Sequence, residues 1–122
     1  QMAVMLEIVH PNGTRSWRRL DTLPLTLGRG LANDLILDDP YVDGAHARIA
    51  LDENGGLRIE DLGSVNGIVA SDARSRSAVS VEPGMEVRVG RTTLRFRDPN
   101  APVVAARSRR TSRSGTSTAP CA

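Results

Sequence analysis

Residues 27–67 decide the reading of this chain. They open with Leu27-Gly28-Arg29 and pass through Asn33-Asp34 and Tyr41-Val42-Asp43-Gly44-Ala45-His46-Ala47. They close with Asp61-Leu62-Gly63-Ser64-Val65-Asn66-Gly67. The segments between these motifs are short apolar runs with a period of two. Ala45, Ala47, Ile49 and Leu51 alternate with His46, Arg48 and Ala50, the pattern of a strand with one buried face. Asp52 to Gly56 supplies Asp, Asn and Gly for a hairpin turn, and Leu57 to Leu62 returns. Leu23 to Leu27 places three leucines on one face, and Pro24 suits an edge or a strand start.

The same punctuation continues on both sides. Ala3 to Val9 is an apolar run with Glu7 inside it, expected to be a buried strand. Pro11-Asn12-Gly13 is a turn, and Ser16 to Leu20 the returning arm. Leu35 to Leu37, Ile68 to Ala70, Ala78 to Val81, Met85 to Val89 and Thr92 to Arg97 read as further strands. Ser71 to Ser77 is polar and reads as a mobile loop. About ten to eleven short, mostly antiparallel strands, with no helical period and no internal repeat, predict an all-β sandwich over residues 1–98. Leu23, Leu25, Ile49, Ile59, Val87, Val89, Leu94 and Phe96 are the expected core.

Residues 99–122 differ in kind. They carry four arginines and no acid, are rich in Ser, Thr, Pro and Ala, and have no aromatic residue. Such a segment buries too little apolar surface to offset its chain entropy, so it is expected to be a disordered tail or linker. Thr111, Thr116 and Thr118 lie near its arginines and are candidate modification sites. Setting the tail aside leaves twelve arginines against fourteen acids, so the formal charge of +2 hides a body of −2. That body lacks the basic face of a nucleic-acid domain. Cys121 is the only cysteine, which excludes an intramolecular disulfide and cysteine-based zinc cages. No apolar run reaches the roughly 18 residues of a membrane span, and no secretory leader is read at the N-terminus. A cytoplasmic location is the expectation.

Taken together and in order, the quoted motifs resemble the forkhead-associated (FHA) domain, a phosphothreonine-peptide reader built as a β-sandwich. The resemblance spans roughly Ala3 to Asp98. It implies a non-enzymatic interaction module with no cofactor and no metal, taking a protein or peptide partner. A threonine phosphate needs an arginine fork, hydroxyl donors and free backbone N–H groups. The family's fork arginine falls on Arg29. Its phosphate-binding serine falls on Asp43, and the peptide-contacting residue after it on Gly44. Its threonine before Asn-Gly falls on Val65, and its peptide-holding asparagine on Asn66. His46 matches the histidine that braces the loops, and Gly28 and Gly67 serve backbone geometry. The expected partner-binding set is Arg29, Asp43, Gly44, Ser64, Val65 and Asn66, with Gly28, His46 and Gly67 structural.

Two phosphate contacts are thus replaced, one of them by an acid. A carboxylate about 4 Å from a phosphate charge is opposed by roughly 4 kcal/mol per unit charge at an effective dielectric near 20. A lost hydrogen bond to phosphate costs about 1.5–3 kcal/mol. Repulsion is the greater penalty. The leading expectation is therefore impaired phosphothreonine recognition, phosphate-independent partner binding, and an Arg29–Asp43 ion pair filling the site. The alternative is a working phosphothreonine reader in Ser/Thr-kinase signalling, using Arg29 and backbone donors. Three further readings are a modified tail threonine folding back to block the site, acid-base chemistry on His46 and Asp43, and nucleic-acid binding by the arginine tail.

Overall fold

The computed structural model describes residues 4–98. Within them run eleven strands and no helix: β1 (Met5–Val9), β2 (Arg15–Arg19), β3 (Leu25–Gly28), β4 (Leu35–Ile36), β5 (Ala47–Leu51), β6 (Leu57–Asp61), β7 (Ile68–Val69), β8 (Ser75–Arg76), β9 (Ala78–Val81), β10 (Glu86–Val89) and β11 (Thr92–Arg97). They form two sheets, in the orders β2-β1-β11-β10-β7-β8 and β4-β3-β5-β6-β9. Each pairing is antiparallel except β3 with β4. The expected all-β sandwich is the fold.

Alternation places the core. In the smaller sheet, register sets Leu25 beside Ile49, Ile49 beside Ile59, and Ile59 beside Val79, an apolar row across four strands. In the larger, Ile8 lies beside Leu94 and Leu94 beside Val87. These rows face each other between the sheets, with Leu6, Leu27, Leu37, Ile68, Val89 and Phe96 fully buried among them. Of the expected core residues, Leu23 alone is only partly buried.

Three local expectations change. β5 begins at Ala47 rather than Ala45, because Ala45 is exposed while His46 turns inward. Leu51, at the far end of the strand, is half exposed. The segment read as a mobile loop contains β8, which pairs with β7 through the Ile68–Arg76 and Val69–Ser75 register. Two exposed polar residues gave no apolar alternation to reveal it.

Glu7 points away from the sandwich core yet is fully buried. Arg97 Nε donates to its Oε1 at 2.7 Å, and Arg15 and Arg95 approach at 3.3 and 3.8 Å. The acid is compensated by guanidinium groups from both neighbouring strands, as a buried charge requires.

The expected tail and its threonines lie outside the described residues. No helix among the described residues is long and apolar enough to cross a membrane.

Candidate functional site

The sequence motifs converge at one end of the sandwich, on the loops β3–β4, β4–β5 and β6–β7. Gly28 ends β3 at a close approach: a Cβ there would collide with the Gly44 carbonyl oxygen and lie 2.9 Å from that of Asp43. Only glycine lets the two loops meet here. Arg29 N–H then donates to Asp43 O at 2.8 Å and Gly30 N–H to Gly44 O at 3.1 Å. The Asn33 side-chain amide closes the loop by donating to both Gly30 O and Gly44 O. Asp34 accepts from the Thr26 N–H and hydroxyl, which hold its carboxyl below the ordinary carboxylate range. The Asn33-Asp34 motif is thus a fastener for the site.

His46 is fully buried behind these loops. Asp43 N–H donates to Nδ1 at 3.0 Å, and Nε2 lies 2.8 Å from Gly67 O. A backbone donor on one nitrogen and a carbonyl on the other require a neutral ring with its proton on Nε2. The ring joins the loop carrying Asp43 to the loop carrying Asn66. Both ring nitrogens are occupied by backbone groups of these two loops, and the ring has no exposed surface.

The third loop is built by Asp61. Its carboxylate accepts from Gly63 N–H and Ser64 N–H, each at 3.1 Å, and from the Ser64 hydroxyl. The same hydroxyl accepts from Gly67 N–H at 2.8 Å. Ser64 therefore shapes the loop and lifts Val65 into solvent, where it is 86% exposed. Asn66 Nδ2 donates to Tyr41 O at 2.9 Å, tying this loop to the neighbouring one.

At the centre of the mouth the expected Arg29–Asp43 ion pair does not form. Arg29 Nε donates instead to Val42 O at 2.9 Å, and no ion pair among the described residues includes its guanidinium. The Asp43 carboxylate reaches the other way, and Oδ2 accepts from Val65 N–H at 3.0 Å. An acidic oxygen has taken a backbone donor, a contact available to a phosphate oxygen, while the exposed Arg29 end remains unneutralised. The competing acceptor was the carbonyl of Val42, next to Asp43 in the chain, a group that sequence does not display.

Two features of this end escaped sequence reasoning. Asp39 is fully buried and accepts from Tyr41 N–H at 2.9 Å, Arg91 N–H at 2.7 Å and the Thr92 hydroxyl at 2.9 Å. It pins the β4–β5 loop to the β10–β11 hairpin of the other sheet. Its place in Asp38-Asp39-Pro40 signals only a turn. The second feature is the hairpin tip itself, where Arg91 lies 4.6 Å over the Tyr41 ring. Among the described residues no group of three or more His, Cys, Asp or Glu side chains could hold a metal.

The FHA domain profile matches residues 25–90, more than half of the chain. The chain is 36% identical over 78 residues to the FHA domain-containing protein FhaB of Mycobacterium tuberculosis. That match covers 64% of this chain and 50% of FhaB, so the chain spans about half the length of the curated relatives it matches. Among solved structures, Mycobacterium tuberculosis EmbR in complex with a low affinity phosphopeptide aligns with a TM-score of 0.69 at 30% identity. It covers 80% of this chain and 25% of EmbR. The FHA domain of CT664 from Chlamydia trachomatis aligns with a TM-score of 0.70, at 24% identity, over 79% of this chain and 97% of that domain. The sandwich, the three loops at one end and the matched profile define a class of protein-interaction modules. This chain belongs to the FHA domain family.

Proposed function

We propose that residues 1–98 act as an FHA-type interaction unit whose loop end binds a protein segment without requiring phosphothreonine. The observation that carries this reading is the Asp43 Oδ2 contact with Val65 N–H. It puts a negative charge at the mouth and uses a donor that an incoming phosphate would want. Arg29 supplies a fork for a partner carboxylate or carbonyl, and the Asn66 amide, already oriented by Tyr41 O, lies beside the partner's main chain. Gly44 adds no side chain and leaves room for close approach. Leu31 and Val65, each 86% exposed, are apolar side chains that a partner can cover. The cytoplasm is the compartment in which this unit is expected to meet its partner.

A second reading is supported by the Arg29 guanidinium, which no carboxylate neutralises, and by the phosphopeptide in the EmbR complex. In it, phosphothreonine is still read, weakly, through Arg29 and backbone donors. Both readings set Asp43 against the phosphate, and one substitution tests that. Asp43→Ser removes the carboxylate, frees Val65 N–H and adds a hydroxyl. Affinity for threonine-phosphorylated peptides is expected to rise at least about tenfold, since charge repulsion near 4 Å exceeds that amount at an effective dielectric of 20. Fluorescence anisotropy with labelled phosphopeptides measures it. An unchanged affinity would mean that Asp43 does not govern phosphate access.

A further inference from the structure

Residues 1–98 are acidic by composition, but the fold sorts their charge. On the outer face of the larger sheet, register sets Trp17 beside Glu7 and Glu7 beside Arg95. Arg15 and Arg19 flank Trp17 on β2, and Arg97 flanks Arg95 on β11. The outward side chains of these three strands thus include four arginines and one acid, against eight arginines and thirteen acids in the rest of residues 1–98. Trp17, the only tryptophan of the chain, is 55% exposed among them.

We infer that this outer face is a second docking surface, and that its occupant is a short extended protein segment in which an acidic side chain neighbours an apolar one. The inference goes beyond the loop-end reading and does not depend on it, because no residue of the face belongs to the loop mouth.

The buried acid organises the face. Arg97 Nε donates to Glu7 Oε1 at 2.7 Å, Arg15 lies 3.3 Å from Oε2, and Arg95 lies 3.8 Å from Oε1. One carboxylate holds three guanidinium groups, so positive charge remains after it is neutralised. The Arg15 and Arg97 side chains keep 59% and 40% of their surface open, with N–H groups to spare. Arginines already held in place lose little side-chain freedom when a partner binds. Tryptophan and arginine are also the residue types that carry most of the binding energy at protein interfaces.

Size and charge select the occupant. Three strands and four residue steps make a face of about 10 by 13 Å, which suits an extended segment of about four or five residues. Asp21 lies 3.6 Å from Arg19 and Glu86 lies 2.8 Å from Arg95 Nε, so with Glu7 these acids leave the four arginines a surplus of one. A nucleic acid or an anionic membrane draws on a run of unmatched cations, and a lone aromatic ring offers no stacking series for bases. One surplus charge beside one large ring fits a carboxylate next to an apolar side chain.

The test is titration of the full chain, read by Trp17 fluorescence and by NMR of the Trp17 indole and arginine Nε–H signals. The probes are two unphosphorylated degenerate nonapeptide pools that share a fixed central Leu and differ in its fixed neighbour, Glu in one and Gln in the other. The Glu pool is expected to shift Trp17 emission to the blue, to move the Arg15, Arg95 and Arg97 signals, and to bind about tenfold more tightly than the Gln pool. Arg15→Gln with Arg19→Gln should remove that preference. Trp17→Ser, read by NMR, should weaken the Glu pool about tenfold. Any shift at Arg29 and Val65 should stay as in the unaltered chain in both variants. Equal binding of the two pools, an unmoved Trp17, or a preference that survives the double substitution overturns the inference. So does tighter binding at Trp17 by oligothymidylate or by phosphatidylglycerol vesicles, which gives the face to a polyanion. Shifts confined to Arg29, Asp43 and Val65 overturn it while leaving the loop-end reading intact.

Discussion

Replacing Asp39 with alanine is expected to lower the unfolding free energy by about 3–5 kcal/mol, because it leaves buried donors without a partner that carries charge. The carboxylate accepts from Tyr41 N–H, Arg91 N–H and the Thr92 hydroxyl, and so joins the β4–β5 loop to the opposite sheet. Urea unfolding measures the loss. Asp39→Asn keeps the size but turns one oxygen from acceptor to donor, and should recover only part of it. The pH dependence follows from the same contacts. Burial pushes the Asp39 carboxyl up, but the bonds from Tyr41, Thr92 and Arg91 together outweigh it and hold the group below its ordinary value. In the unfolded chain it titrates near about 3.9. The stabilisation is therefore complete above that pH and is lost as pH falls through the lower folded value. Wild-type stability should drop in this acid window by more than that of Asp39→Asn. Parallel acid profiles would mean that Asp39 does not link the sheets as a charged group.

His46→Ala should cost a similar amount, about 3–4 kcal/mol, from a lost buried ring and two orphaned backbone groups, Asp43 N–H and Gly67 O. His46→Phe separates packing from hydrogen bonding. It fills the space and removes only the hydrogen bonds, so about 2–3 kcal/mol should remain. Hydrogen exchange locates the effect: the Asp43 amide, bonded to Nδ1, should exchange faster in both variants while β1 and β11 amides follow global stability. An unaltered Asp43 amide would show that the ring does not brace the loops.

The sandwich was readable because strands with one buried face write their period into the sequence. Leu25, Ile49, Ile59 and Leu94 fall on alternate positions, and the turns between them carry Gly, Pro, Asn and Asp. β8 was not readable, since Ser75 and Arg76 are both exposed and pair only through their backbones. The loop motifs indicated which residues gather at the mouth, and Arg29, Asp43, Val65 and Asn66 do gather there. Their partners were hidden because most are backbone groups. Arg29 turns to Val42 O and Asp43 to Val65 N–H, so the expected ion pair gives way to two side-chain–backbone bonds. Backbone carbonyls and amides are identical at every position, and only the fold decides which are free. Asp39 and Arg91 were missed for a related reason: they meet across 52 residues of chain, through an amide that any residue would supply.

Asp43 spends its carboxylate within the loops, on Val65 N–H. A serine at that position would leave Val65 N–H available, whereas the acid satisfies it internally and leaves the loops in place. The change is local because the brace, the Asp61 turn and the Gly28 close approach do not depend on it.

Calorimetric titration of the unaltered chain with matched threonine-phosphorylated and unphosphorylated peptide libraries measures whether phosphate contributes to binding at all. Equal heats and equal affinities for the two libraries are the predicted result. Micromolar binding seen only with the phosphorylated library, and abolished by Arg29→Ala, would contradict the account.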